Sequence, residues 1–326
     1  MKKTLLFLFI TLVSLQTQSQ SVLEEDASNF LEAYFAPLGE SFGAGLNNGW
    51  YNTAKPHKLG GFDLTFTLNA VSIPNGMQQF NPDELDHFNS TEHSPTLLGG
   101  GQGENGQGAT ITYDNPNLAS PIIFTMPKQN IKKNLVPIPM INAGIGVSKK
   151  TELDFRYLPN YEFEMGFVGK TSVSLWGIGV KHDLLQWIPV VGDAIPLSLS
   201  LQAGHTEFNT SFSYDGPSSV SQSVEMDVKA TTVNIIASKK ILMLTAYAGI
   251  GYNSAQTTFN TNTNFELGID GNSVEFDIPT EFNFDTTNEV RANIGLRFNI
   301  AVLAIQANHT FSKYPVTTVG VGLSLR

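Results

Sequence analysis

The chain has 326 residues, 15% of them charged and 41% hydrophobic, with 29 acidic against 19 basic side chains and no cysteine. A net charge of −10 argues against a nucleic-acid partner, because phosphate binding needs a basic face. Zero cysteines exclude disulfide scaffolds, thiolate zinc sites and thiol catalysis. No run of about 18 apolar residues occurs after residue 20, which excludes a helical membrane span.

Residues 1–20 read as a secretory signal. Lys2 and Lys3 supply a positive start, Leu5 to Leu15 an apolar run too short to cross a bilayer, and Thr17 to Gln20 a small, polar cleavage region. Removing it leaves 17 basic against 29 acidic residues. Residues 21–38 predict an amphipathic helix. Ser21-Val22-Leu23-Glu24 is a capping box, and Leu23, Ala27, Phe30, Tyr34 and Leu38 recur every three or four residues opposite Glu25 and Glu32. That helix is expected to act as a cap or plug for the rest of the fold. Residues 39–59 form a lead-in segment.

From residue 60 to residue 326 the periodicity changes to two. In residues 61–71, Phe62, Leu64, Phe66, Leu68 and Ala70 alternate with Asp63, Thr65, Thr67 and Asn69. Leu199 and Leu201, Ile294 and Leu296, and Val321 and Leu323 repeat the pattern against Ser200, Gly295 and Gly322. The segments are longer than ordinary strands and their polar face is mostly small. The gaps between them alternate short and long. The expected fold is therefore all-β: a single transmembrane antiparallel β-barrel of about ten strands, with twelve as the alternative. Its strands fall near 60–72, 137–147, 151–158, 170–182, 196–213, 223–238, 241–256, 287–299, 301–311 and 315–326. Tight turns are expected at 148–150, 239–240 and 299–300 on the periplasmic side, with long connections at 73–136 and 257–286 outside. A hairpin within 109–126 would raise the count to twelve. Tyr157, Tyr161, Trp176, Tyr247, Tyr252 and Tyr314 lie near strand ends, as girdle aromatics should. Trp187, in the apolar stretch 184–192, is expected at the membrane interface.

Chemistry-bearing patterns are sparse. Gly99 to Gly108 holds six glycines in ten residues but lacks the strand, helix and Lys-Ser/Thr of a phosphate loop, so it reads as a flexible connection. His87 and His93 flank acidic residues in a stretch that reads as a solvated loop rather than a metal site. His182-Asp183 resembles half a catalytic triad, with no nucleophile elbow to complete it. The expectation is no enzymatic activity, no cofactor and no metal. Asp63, Arg156, Arg291 and Arg297 are charged positions within strands and are expected to face the lumen. Salt bridges are the plain explanation there, contact with a bound anion the sharper one.

Two groups of strings resemble an uncharacterised Bacteroidota family of exported outer-membrane β-barrel proteins. One is Gly45-Leu46-Asn47-Asn48-Gly49-Trp50-Tyr51-Asn52-Thr53-Ala54-Lys55-Pro56-His57-Lys58-Leu59-Gly60-Gly61-Phe62-Asp63. The other comprises Thr151 to Pro159 and Trp176 to Asp183 with Gln186-Trp187-Ile188-Pro189. The resemblance spans nearly the whole exported chain. It extends loosely to long-chain fatty-acid transporter barrels, which have more strands. It implies a protein of the Gram-negative outer membrane, with membrane lipid as its surroundings and a small hydrophobic or polar solute as a possible cargo. Two roles are expected: a passive channel or carrier gated by residues 21–38, which the resemblance and the place of that helix imply, or a structural, surface-interaction barrel with a filled lumen, because ten strands leave little interior beyond side-chain packing.

Overall fold

The computed structural model describes residues 2–99, 109–118, 120–126, 134–148, 150–165, 169–187, 196–215, 221–261, 265–269, 272–276 and 281–325. Its chain divides into two compact units. The larger, residues 38–74, 134–260 and 283–326, holds a closed antiparallel barrel of ten strands. They are β1 (Phe62–Ser72), β2 (Leu135–Ser148), β3 (Thr151–Met165), β4 (Gly169–Asp183), β5 (Ser198–Asp215), β6 (Ser221–Ile241), β7 (Leu244–Thr261), β8 (Glu281–Ile300), β9 (Leu303–Phe311) and β10 (Val316–Leu325). Each strand pairs with its neighbours in sequence, and β1 closes the ring against β10 from Phe62↔Leu325 to Val71↔Val316.

Period two dictates the two faces of this wall. Leu64, Phe66, Ile178, Ile235, Leu296 and Val321 are exposed on the outside, while Thr67, Asn69, Gln202, Asn234, Arg297 and Thr318 are buried inside. The arrangement is inverted relative to a water-soluble protein, and an apolar exterior is what hydrocarbon requires. The interior is itself zoned. Leu175, Phe208, Met226, Val228 and Phe259 line the half nearer the long connections, and Glu152, Lys181, Asn293 and Arg297 the half nearer the tight turns.

Several boundaries differ from the sequence expectation. The segment 109–126 adds no strands to the barrel. Thr110–Tyr113 and Ile122–Thr125 pair with each other, and Thr110–Tyr113 also pairs with Phe88–Ser90, in a separate three-stranded sheet. Lys239 and Lys240 do not make a turn: β6 runs through them, and the turn falls at Leu242-Met243. The next turn is displaced likewise, from Asn299-Ile300 to Ala301-Val302. Leu242 and Ala301 hold φ of 55° and 51°, so backbone pairing, not turn-forming residue type, sets these corners. Tyr247 and Tyr314 are not girdle residues. Their positions face inward and both are buried, whereas Tyr157, Tyr161, Trp176 and Tyr252 are exposed.

The helix α1 spans Lys2–Leu46, eight residues past the expected end at Leu38 and through Pro37. Residues Gly39, Gly43 and Gly45 are poor helix formers in isolation. Packing overrides that preference, because Gly43, Ala44, Gly45 and Leu46 are all buried within the barrel unit.

The smaller unit comprises residues 1–37, 75–133 and 261–282. Its core packs Phe30 and Tyr34 of α1 against Phe88, Ile111, Tyr113 and Ile122, with Phe30 stacked on Phe88 at 4.9 Å. The buried Asp26 accepts hydrogen bonds from Tyr113 Oη at 2.6 Å and Asn115 Nδ2 at 3.0 Å, with His87 Nδ1 at 2.8 Å. A hairpin of Phe265–Ile269 and Asn272–Phe276 belongs to this unit. The glycine run at 100–108 and residues 188–192 lie outside the described residues.

Candidate functional site: the occupied lumen

Residues 38–57 thread the interior of the barrel, and all ten strands touch them. Within α1, Phe42 already stacks on Phe208 of β5 at 5.1 Å. Asn69 of β1 donates to the Gly45 carbonyl at 2.7 Å, and a Cβ on Gly45 would collide with Ile138 of β2. After Leu46 the chain leaves the helix and becomes rich in amides and aromatics. Such residues offer donors, acceptors and flat faces to a polar wall.

Arg156 of β3 is the centre of this contact. Its Nη1 donates to the Leu46 carbonyl and its Nη2 to the Asn48 carbonyl, both at 2.5 Å, while Nε donates to Asn142 Oδ1 at 2.7 Å. The guanidinium also lies 3.7 Å from the Trp50 ring centroid. The other face of that indole rests on backbone: a Cβ at Gly177, Gly179 or Gly204, on the adjacent strands β4 and β5, would press into it. Glycine is required there for space, not for φ.

On the opposite wall, Arg291 of β8 donates to Asn48 Oδ1 at 2.7 Å and to Asn234 Oδ1 at 2.8 Å, and Thr310 of β9 donates to the same Asn48 oxygen. Tyr51 Oη donates to Asn293 Oδ1 at 3.0 Å and sets its ring edge-on to Tyr247 of β7. Asn47 Nδ2 donates to the Ser254 carbonyl of the same strand. Arg297 donates to Asn52 Oδ1. Ser238 of β6 accepts from the Ala54 amide, and Ser200 of β5 donates to the Ala54 carbonyl.

At the tight-turn end the last residue of the segment is tied by charge. The His57 amide donates to Glu152 Oε2 at 2.7 Å, and His57 Nδ1 lies at the same distance from that oxygen. Lys181 Nζ donates to the other oxygen at 2.6 Å. His57 Nε2 lies 3.8 Å from Asp63 and 3.4 Å from Ser324 Oγ of β10. Beside this cluster is a cavity of about 20 Å³, bounded by Trp50, Asn52, Asp63, Glu152, Asp154 and Lys181. That is room for about one water.

Arg156, Arg291 and Arg297 are buried, and each donates hydrogen bonds to residues 46–52; Asp63, its side chain 12% exposed, lies 3.8 Å from His57. The hydrogen bonds of Arg156 and Arg291 go to carbonyls, amides and hydroxyls of this chain rather than to carboxylates. Trp187 stands apart, highly exposed beyond the end of β4, with its Nε1 donating to His182 Nε2 at 3.1 Å. Asn48, Trp50, Asn52, His57, Glu152 and Lys181 stand in the strings that carry the family resemblance, but sequence reasoning gave none of them a place in a site. The available signal was the amide- and aromatic-rich string after Leu46, together with glycines at inward positions of neighbouring strands. Among the described residues no three His, Asp or Glu side chains converge as metal ligands.

A family profile matches this sequence over residues 1–325, the barrel and the segment inside it included. The chain belongs to the family of unknown function DUF6588. No curated protein shows detectable similarity to this DUF6588 member. Among solved structures it is similar to the outer membrane protease OmpT from Escherichia coli, at 8% identity and a TM-score of 0.37, over 86% of this chain and 100% of that one. It is also similar to the beta domain of the Bordetella autotransporter BrkA, at 11% identity and a TM-score of 0.36, over 82% and 98%. The Pseudomonas putida toluene transporter TodX matches at 9% identity and a TM-score of 0.27, over 83% and 94%.

Proposed function

We propose that this DUF6588 protein is a barrel of the Gram-negative outer membrane whose lumen is filled by its own residues 38–57, and that it anchors and presents its connecting segments rather than conducting solute. The observation that carries this reading is the hydrogen-bond network around those residues. Every strand touches the segment, and one cavity beside it, of about 20 Å³, has room for about one water. The outward apolar face supports the membrane setting, since about 25 Å of such surface cannot remain in water. Residues 1–20 act as the export signal in this reading, and sequencing the N-terminus of membrane-extracted protein tests it: a start at Met1 counts against cleavage.

Both long connections, β1 to β2 and β7 to β8, leave from the rim opposite the tight turns. In this reading one rim gathers the chain able to meet a partner outside the cell. The channel reading requires residues 38–57 to leave a lumen in which three arginines hold them. Planar-bilayer recording of the full chain separates the two. Conductance should stay at the level of protein-free bilayers, and sustained ion-conducting steps would overturn the filled-lumen reading.

A further inference from the structure

On the outer wall, where β3, β4, β5 and β6 run side by side, lies a groove of about 330 Å³. Its floor is the backbone of Gly179 and Gly204, which the Trp50 indole braces from inside. Its sides are Leu153, Ile178, Val180 and Ala203, and the small Ala203 leaves the space between its larger neighbours. His205 and Thr231 stand at its upper end, toward the long connections. The ladders behind it are continuous. β3 pairs with β4 from Thr151↔His182 to Leu158↔Leu175, β5 with β4 from Ser200↔Asp183 to Ser213↔Lys170, and β5 with β6 from Ser198↔Ser238 to Asp215↔Ser221. A hydrocarbon guest here leaves no ladder bond unmade.

Outward positions change character at the top of this groove. On β5 they run Leu199, Leu201 and Ala203, then His205, Glu207 and Asn209; on β6 they run Ile235 and Val233, then Thr231, Lys229 and Asp227. His205 is in register with Thr231, and Glu207 with Lys229 on one side and Trp176 on the other. Together these side chains form a polar shelf. Trp176 Nε1 donates to Glu207 Oε2 at 3.0 Å, His205 Nδ1 lies 2.8 Å from Thr231 Oγ1, and Asn209 donates to Asp227. A wall that passes from apolar to polar in this way marks the edge of the hydrocarbon, with the Trp176 indole at headgroup level. The groove therefore opens into hydrocarbon and ends beneath the headgroups.

Size and charge together select the occupant. An apolar cavity of about 150 Å³ holds a benzene, so a groove of about 330 Å³ has room for roughly a dozen chain carbons. Above it the charges alternate across the shelf: Glu207 lies opposite Lys229, and Asp227 follows two residues along β6. A head that bears one phosphate and one ammonium matches that pattern. A purely anionic head would meet Lys229 but also face the carboxylates of Glu207 and Asp227. We propose that the groove binds one acyl chain of a zwitterionic phospholipid, with its phosphate on Lys229 and its ammonium on Glu207. The proposal rests on the membrane setting given above and not on the filled lumen.

The test loads the delipidated full chain in detergent with phosphatidylethanolamine, phosphatidylglycerol or lipopolysaccharide and weighs it by native mass spectrometry. A retained phosphatidylethanolamine is expected, at least about fivefold above either anionic lipid. Ala203→Phe fills the groove and should lose that lipid, while Ala248→Phe, at an outward position of β7, should keep it. Lys229→Ala should lower retention about fivefold, the weight of one basic residue at a membrane surface. Heat-modifiable gel mobility identifies the folded variants. Preferential retention of an anionic lipid would overturn the proposal, and so would retention that Ala203→Phe leaves unchanged. A second measurement uses the unaltered protein, in vesicles doped with phosphatidylethanolamine that carries a diazirine in its acyl chain. Ile178 and Val180 should be labelled at least about fivefold above Ile294 and Leu296 of β8, although the latter pair is more exposed. Equal labelling around the barrel would count against the groove. Protein that does not fractionate with membranes fails the membrane setting, whereas membrane-bound protein without selective retention fails the groove alone.

Discussion

Arg156 shows how a single side chain can bind an entire segment. Its guanidinium spans two carbonyls that the end of a helix leaves unpaired, and no neutral residue reaches both. Arg156→Met keeps the bulk and removes the donors, leaving two buried acceptors without partners. The expected loss is about 2–5 kcal/mol in denaturant unfolding from detergent micelles. A variant as stable as the parent would show that the segment is held elsewhere. Gly204 makes a second, steric prediction. Gly204→Ala should destabilise by about 1–3 kcal/mol, because the new methyl meets the Trp50 indole. In a Trp50→Ala background the same change should cost almost nothing, so a double-mutant cycle reads the contact directly. Alternation sets Arg291 and Arg297 on the polar face of their strand, and both are buried. Their partners were not legible, because Asn48 and Asn52 lie more than 200 residues from Arg291 and Arg297 and no local pattern links them.

Among the elements, the ten strands were legible because each repeats period two over a long run with one lipid-compatible face. The corners were not. Sequence reasoning set turns at Lys239-Lys240 and Asn299-Ile300, where residue type suggests a break. Ladder pairing instead carries both strands on to Leu242 and Ala301, at positive φ. The helix overran its expected end for a related reason: burial in the lumen sets that boundary, and burial is a tertiary property. In the smaller unit, burial and the adjoining Asp26 carboxylate push the Tyr113 phenol above its ordinary value. The neutral phenol is the form that donates to Asp26, so its contribution is full below the unfolded value of about 10 and falls as pH rises past it. Near-UV circular dichroism melts between pH 8 and 11 should show this unit losing stability with rising pH. Tyr113→Phe, which has no proton to lose, should have a shallower slope.

For the molecule as a whole, the decisive property is the inverted surface. Leu296 is half exposed on the outer face of β8, and a Lys there should cost about 2–4 kcal/mol near the bilayer midplane. Refolding yield into vesicles measures that cost, and wild-type yield for Leu296→Lys would place this strand outside hydrocarbon. Recovery of folded, detergent-free protein in the soluble fraction would contradict the membrane setting altogether.

The position of the lumen segment in the chain bears on assembly order. Residues 38–57 precede every strand, yet Asn48 is tied to Thr310, 262 positions downstream. Contacts of such separation form late, because loop closure must come first. The early part of the chain therefore acts as a mandrel. The last strand in the chain, β10, pairs with the first, β1, so ring closure encloses residues that precede every barrel strand. A barrel closed before residues 38–57 were in place would have three arginines facing an empty interior, so for this chain filling the lumen and closing the wall are a single event.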